Sequence, residues 1–369
     1  MAPARSVLVV CMRRIGDVLL ATPLARSIKR AWPDAQVDML VFKGSEAVLR
    51  GNPDLREVIA VDERQGMLDR VRLIMRLWRK YDHALCVQTG DRPTLMAWAA
   101  GRRATGLVDP EMKSALKRSL LDDAVPADGG DLHTVASNLK LLEPLAIAAL
   151  AEVSVSWDAD APSRAQLAFP GAASGTPFAL LHVSPKFAYK MWTAAGWAEL
   201  ARWLAQQRMA VVVAGGASPE ELAYARALVA QMPAGTVDVA GRLDLAALAW
   251  LVSRARAYVG TDTAVTHMAA ALGVPTVALF GPSSPVKWGP WPKGFAAGPA
   301  SPWKMVGTQR SGNVLLLQGE TDCVPCLGEG CEKHVASLSD CLQHLPSSRV
   351  INAVQQMLFP VGVRSVPAA

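Results

Sequence analysis

The chain has 369 residues, 51% of them hydrophobic, with 38 Lys and Arg against 32 Asp and Glu for a formal charge of +6. That length supports two domains with separate cores, and no apolar run reaches the roughly 18 residues of a membrane-crossing helix. The positive balance calls for an anionic partner, either a phosphorylated substrate or an anionic membrane surface; with no basic tail and no recognised nucleic-acid motif, nucleic acid is not expected.

The opening SVLVVC run is too short for a signal-peptide core and is followed, not preceded, by Arg13-Arg14, so a cytoplasmic location is expected. From residue 6 onward, short apolar runs alternate with amphipathic stretches, the pattern of an α/β chain with parallel sheets. Strands are predicted at 6–12, 37–42, 58–61, 84–90 and 104–106. Helices are predicted at 16–32, 67–81, 94–101 and 133–142, the last stopped by Pro144. A stretch rich in Ala, Pro, Gly and Ser between about Trp157 and Thr176 reads as a linker with one short helix. A second series follows, with strands at 178–183, 210–215, 237–239, 257–260 and 277–280 and helices at 194–207, 219–231 and 244–254. The expectation is an N-terminal domain over 1–160, a linker over 161–176, a C-terminal domain over 177–350 and a terminal helix and tail over 351–369. These are two Rossmann-like domains facing a central cleft, where a ligand is expected.

The stretch from Gly260 to Pro292 carries the densest chemistry. Asp262 is a natural N-cap, Thr263 to Leu272 favours helix, Gly273 supplies a left-handed end and Pro275 forbids continuation. Val265, Met268, Ala269 and Leu272 fall on the face that packs inward, while Thr263 and His267 lie four apart near the helix start. Free amides, the positive end of the helix dipole, a hydroxyl and an imidazole then converge as a phosphate site. Lys186 and Lys190, on the loop after strand 178–183, are either solvated or placed to neutralise a diphosphate. Ser218 and Glu221 form a capping box around Pro219, which leaves Glu220 free to meet a ligand hydroxyl. Asp17 either caps the helix after the first strand or points into the cleft. The glycine pattern there is not GxGxxG, which counts against a nicotinamide or flavin enzyme.

Two further features admit alternatives. In helix 67–81, Val71, Ile74, Met75 and Trp78 form one stripe and Arg72, Arg76, Arg79 and Lys80 another face. The plain reading buries the apolar stripe in the core; the other brings the basic face to anionic lipid or acceptor phosphates, with Lys113, Lys117 and Arg118 extending the charge. Cys11 and Cys86 read as buried thiols, whereas Cys323, Cys326, Cys331 and Cys341 have a spacing compatible with a tetrahedral zinc site, labile disulfides or reduced packing thiols.

Four segments in order, GDVLLATP at 16–23, HTVASNLKLL at 133–142, KMW at 190–192 and GTDTAVTHMAAALGVPTVALFGPSSPVKWGPW at 260–291, give the chain a resemblance to the ADP-heptose:lipopolysaccharide heptosyltransferases of glycosyltransferase family 9. The WGPW end and NPDLREV at 52–58 lean toward the heptosyltransferase III-like branch. The resemblance implies a GT-B fold, acceptor on the N-terminal half, nucleotide sugar on the C-terminal half and inversion by direct displacement. It implies Asp17 as general base and Lys190 as stabiliser of the departing diphosphate. Asp262, Thr263, Ala264 and His267 become the donor cradle, with Lys186 and Glu220 as further donor contacts and Leu243 beside the adenine. Ala264 stands where a glycine is often found, and Ser184-Pro185-Lys186 replaces a more hydroxyl-rich turn. No metal and no cofactor beyond the ADP-heptose donor are expected. The implied partners are a phosphorylated lipopolysaccharide core acceptor and the inner face of the inner membrane. The alternatives are a GT-B transferase with another nucleotide sugar or glycan acceptor, and a non-catalytic nucleotide-binding homologue.

Overall fold

A computed structural model describes residues 3–110, 118–296 and 301–359. Lys113 and Lys117 of the basic set lie outside the described residues. The chain separates into two compact units, Met1–Ala159 with Gly294–Pro302 and Asp160–Lys293 with Trp303–Ala369.

The first unit is built on strands β1 (Ser6–Cys11), β2 (Gln36–Phe42), β3 (Glu57–Val61), β4 (Tyr81–Cys86), β5 (Gly101–Val108) and β6 (Asp123–Pro126). They lie in the order β3-β2-β1-β4-β5-β6, every pair parallel. Val7, Leu8, Val9 and Val10 are fully buried, as an unbroken apolar run must be in a parallel sheet covered on both faces. The order is doubly wound, and the strand succession reverses between β1 and β4. Gln88, just past β4, ties these strand ends together, its carbonyl accepting from the Met12 amide (2.7 Å) and its amide donating to the Met12 carbonyl (3.0 Å).

Three expectations for this unit need correction. The helix predicted over 16–32 is two, Ile15–Leu20 and Thr22–Ala31, because Pro23 has no amide to continue the ladder; the Thr22 hydroxyl bonds the Leu19 carbonyl instead (2.7 Å). The helix at 134 stops at Leu139, and a 3₁₀ segment, Lys140–Leu145, follows and contains Pro144. The helix predicted over 67–81 stops at Leu77 and turns most of the expected core stripe outward: Val71, Met75 and Trp78 are exposed, while Ile74 alone of that stripe packs on the core, beside the buried Leu73 and Leu77.

The second unit contains β7 (Phe178–His182), β8 (Ala210–Ala214), β9 (Val237–Asp238), β10 (Ala257–Thr261), β11 (Thr276–Phe280), β12 (Gln309–Ser311) and β13 (Val314–Gln318). Their order is β12-β13-β11-β10-β7-β8-β9, parallel throughout except that β12 runs against β13. Here the succession reverses between β7 and β10. Trp197, Leu200 and Leu204 of helix Ala194–Gln206 and Val350, Val354 and Met357 of helix Ser347–Leu358 close one face of this sheet. Residues 161–176 hold helix Ala161–Ala168 and a 3₁₀ turn, Pro170–Ala172, within this unit. The edge pair β12 and β13 had no counterpart among the predicted strands.

Candidate active site

In a doubly wound sheet the ligand crevice opens at the carboxyl ends of the strands that flank the reversal. In the second unit those strands are β7 and β10, with His182 level with Gly260 in the register. Thr261 ends β10, and beyond the two strands come Ser184, Lys190, Asp262 and helix Ala264–Leu272.

Lys190 ends a 3₁₀ turn, Ala188–Lys190, and its Nζ lies 2.5 Å from Asp262 Oδ2, with both side chains largely withdrawn from solvent (18% and 9% exposed). Asp262 is therefore not the helix cap. Thr263 takes that position, with no side chain capping the helix amides. Burial opposes the Asp262 charge, but Lys190, His267 and the Ser283 hydroxyl outweigh it and hold the carboxyl below its ordinary value. His267, in the first turns of the helix, is buried, and burial lowers its pKa to about 4 against the pull of Asp262 and with the push of Lys190. It is neutral at pH 7, able to donate from one ring nitrogen and accept at the other.

The loop carrying these groups is fixed from below. Thr266 Oγ1 donates to the Thr261 carbonyl (2.5 Å) and lies 2.9 Å from the Tyr258 hydroxyl and 3.2 Å from Thr263 Oγ1. Gly273, at φ +83°, ends the helix in the left-handed region as the sequence predicts. Val265, Met268 and Ala269 are buried as expected, while Leu272 is half-buried.

Four buried polar atoms at this edge, His182 Nδ1, Ser184 Oγ, Thr261 Oγ1 and His267 Nδ1, have no hydrogen-bond partner among the described residues. Buried polar groups are normally satisfied, so orphans at the strand ends where this fold places its ligand are candidates for contact with it. A Cβ at Gly215, on the loop leaving β8, would fall 2.8 Å from Ser184 Oγ, so the backbone there approaches the site more closely than a larger residue permits.

Of the residues read from the sequence, Lys190, Asp262 and His267 form one interacting group, with Thr263 and Ala264 at its helix start. Lys186, Glu220 and Leu243 follow β7, β8 and β9 at the same sheet edge without a described contact to that group. Lys186 is exposed beside the Phe187 ring (5.9 Å), Glu220 is exposed, and Leu243 is half-buried before the Asp244 cap. Glu221 is taken by the capping box with Ser218. His182 and Thr261 were missed, and Ser184 was noted only within a turn poorer in hydroxyls. The signal for the first two was a His and a Thr closing otherwise apolar strands.

In the first unit, Asp17 lies in the first turn of Ile15–Leu20, after the β1 end that flanks the reversal. Burial raises its carboxyl pKa against the opposing effect of Arg13 and Arg14, and Arg13 Nη1 stands 3.5 Å away. Its side chain does not cap the helix, whose cap position is held by Arg14.

Cys323, Cys326 and Cys331 are exposed, Cys341 is buried, and all four are free thiols. Among the described residues no group of three His, Cys, Asp or Glu is placed to hold a metal ion. Burial, and after it the neighbouring Cys326, Cys323 and Cys331, push the Cys341 thiol up to about 12.

Two Rossmann-like units, one with a basic, hydroxyl-lined strand edge, define a GT-B glycosyltransferase. The profile of glycosyltransferase family 9 (heptosyltransferase) matches residues 70–297. Lipopolysaccharide heptosyltransferase 3 of Escherichia coli is 25% identical over 318 residues, covering 83% of this chain and 93% of that protein. Two solved structures share the fold, each at 20% identity. One is a family 9 glycosyl transferase from Veillonella parvula (TM-score 0.75, 96% of this chain and 97% of that one). The other is the E. coli ADP-heptose lps heptosyltransferase II (TM-score 0.74, 96% and 98%). The chain belongs to glycosyltransferase family 9, the heptosyltransferases.

Proposed function

We propose that this enzyme moves a heptose from ADP-heptose to the inner core of lipopolysaccharide, as a heptosyltransferase III-like member of its family working at the inner face of the inner membrane. The observation that carries the donor half is the group at the β7 and β10 ends: an ammonium, uncapped helix amides and four unpartnered polar atoms. Lys190 and the start of helix Ala264–Leu272 neutralise the diphosphate, which supplies leaving-group charge stabilisation from the protein's own groups and without a required metal. Asp262 holds Lys190 in place and offers its other oxygen to hydroxyls of the donor sugar. Lys186 and Glu220 serve as outer donor contacts and Leu243 lies against the adenine.

Asp17 acts as general base. It takes the proton of an acceptor hydroxyl as that oxygen bonds to the anomeric carbon and the bond to ADP breaks, which inverts the anomeric centre. A carboxyl pKa raised by burial strengthens it as a base. Arg13 and Arg14, both exposed beside it, suit a phosphorylated acceptor.

The test is ADP release from ADP-heptose with truncated core acceptors. Release that depends on a heptosylated or Kdo-bearing acceptor is expected; none with any such acceptor overturns the proposal.

A further inference from the structure

Helix Met67–Leu77 has more apolar surface than its own core contact uses. At about 100° per residue, Leu73 and Leu77 face the sheet, while Met67, Val71, Met75 and Leu68 cover a separate arc of about 100°. That second arc faces solvent: Met67 is 82% exposed, Leu68 72%, Met75 71% and Val71 52%. Trp78, at the helix end, is 49% exposed and meets Trp98 of helix Asp91–Ala100, on which Leu95 is also 37% exposed. Single exposed apolar residues need no explanation, but a contiguous set on one helix face does.

The patch has a cationic rim. Between residues 67 and 80 the chain carries Arg70, Arg72, Arg76, Arg79 and Lys80 against the single acid Asp69. Arg72 pairs with that Asp69 (3.1 Å) and Arg76 reaches Glu57 (3.1 Å), so part of the charge is compensated. Arg79, donating to the Gly101 carbonyl (2.7 Å), packs against the rings of Trp78 and Trp98 (5.7 and 5.5 Å), which meet edge to face at 5.5 Å. Long apolar side chains beside indoles and arginines match the boundary between lipid tails and anionic headgroups. A second copy on the same face would set one arginine rim against another, which disfavours self-association.

We propose that the exposed face of helix Met67–Leu77, with Trp78 and Leu95, docks this enzyme on a bilayer carrying anionic headgroups. Among the described residues no helix is long and apolar enough to cross a membrane, so this face would hold the enzyme on the surface. The inference deepens the proposed action on a membrane-held acceptor and rests on it.

The test is co-sedimentation of the full chain with phosphatidylcholine vesicles with and without phosphatidylglycerol. Wild type is expected to bind the phosphatidylglycerol vesicles, less so in high salt, and the Leu68→Glu/Met75→Glu variant to lose about tenfold or more of that partition. Thermal melting and transfer to a delipidated, soluble core acceptor should stay as in wild type. Equal binding by the variant, equal wild-type binding to neutral vesicles, or a wild-type dimer dispersed by these substitutions overturns the docking face. Loss of transfer to the soluble acceptor by wild type itself overturns the proposed function instead.

Discussion

Lys190 Nζ lies 2.5 Å from Asp262 Oδ2, joining residues 72 apart in sequence at the carboxyl ends of β7 and β10. Both partners are mostly shielded from water, so each leaves an uncompensated charge if the other is removed. Lys190→Met or Asp262→Leu alone should destabilise the second unit by about 1–3 kcal/mol, below the fully buried range because some solvent reaches the pair. Lys190→Met/Asp262→Leu together should recover much of the loss, which urea unfolding of the four proteins would show as a coupling energy. Additive losses would mean the pair is not coupled.

The same pair separates stability from catalysis. The double variant, though refolded, lacks the ammonium at the leaving group and should lose about 100-fold or more in kcat. Turnover near wild type would remove Lys190 from the chemistry.

His182 and His267 both have pKa values lowered by burial to about 4. An unfolded histidine takes up a proton near pH 6.5, whereas these two resist it while folded. The unfolded state therefore binds more protons between about pH 6.5 and 4, and stability falls as pH drops through that window. The urea midpoint should decline from pH 7 to pH 5, and His182→Gln/His267→Gln should flatten that decline. An unchanged slope in the double variant would contradict the assignment.

Asp17 carries the opposite linkage. Its folded pKa is raised, so the protonated form is favoured by folding and stability is lost as pH rises through the folded value. Asp17→Asn should therefore be no less stable than wild type at pH 7, with the difference vanishing below about pH 4, yet turn over roughly 10²–10⁴ times more slowly. ADP binding by the variant, measured by calorimetry, should be unchanged. Full turnover would exclude the base role.

Much of the architecture was legible because parallel strands are unbroken apolar runs and Gly273-Val274-Pro275 punctuates the site helix unmistakably. The site was half legible. Asp262 looks like a cap locally, and only the tertiary neighbour Lys190 shows what its carboxylate does. The orphaned His182 and Thr261 sit inside strands β7 and β10, where hydrophobic pattern reads them as core. Helix Met67–Leu77 was misread because it has two apolar arcs, and periodicity alone does not say which one meets the sheet. The edge strand β12 escaped because a three-residue strand carries no pattern of its own, whereas β13, a buried VLLLQ run, carried the signal and was overlooked.

The four C-terminal thiols have a direct check. Elemental analysis of protein purified without chelator should find metal well below one ion per chain. Stoichiometric zinc or iron, released when Cys323 and Cys326 are replaced, would show a site that the free thiols alone do not display.

The central claim is that a heptose leaves ADP at the β7 and β10 strand ends. Mass spectrometry of a truncated, heptosylated core acceptor incubated with ADP-heptose measures it most directly. The acceptor should gain one heptose with wild type, and the gain should be lost in Lys190→Met/Asp262→Leu while that variant stays folded. An acceptor left unmodified by wild type, or modified equally by the variant, would contradict the account.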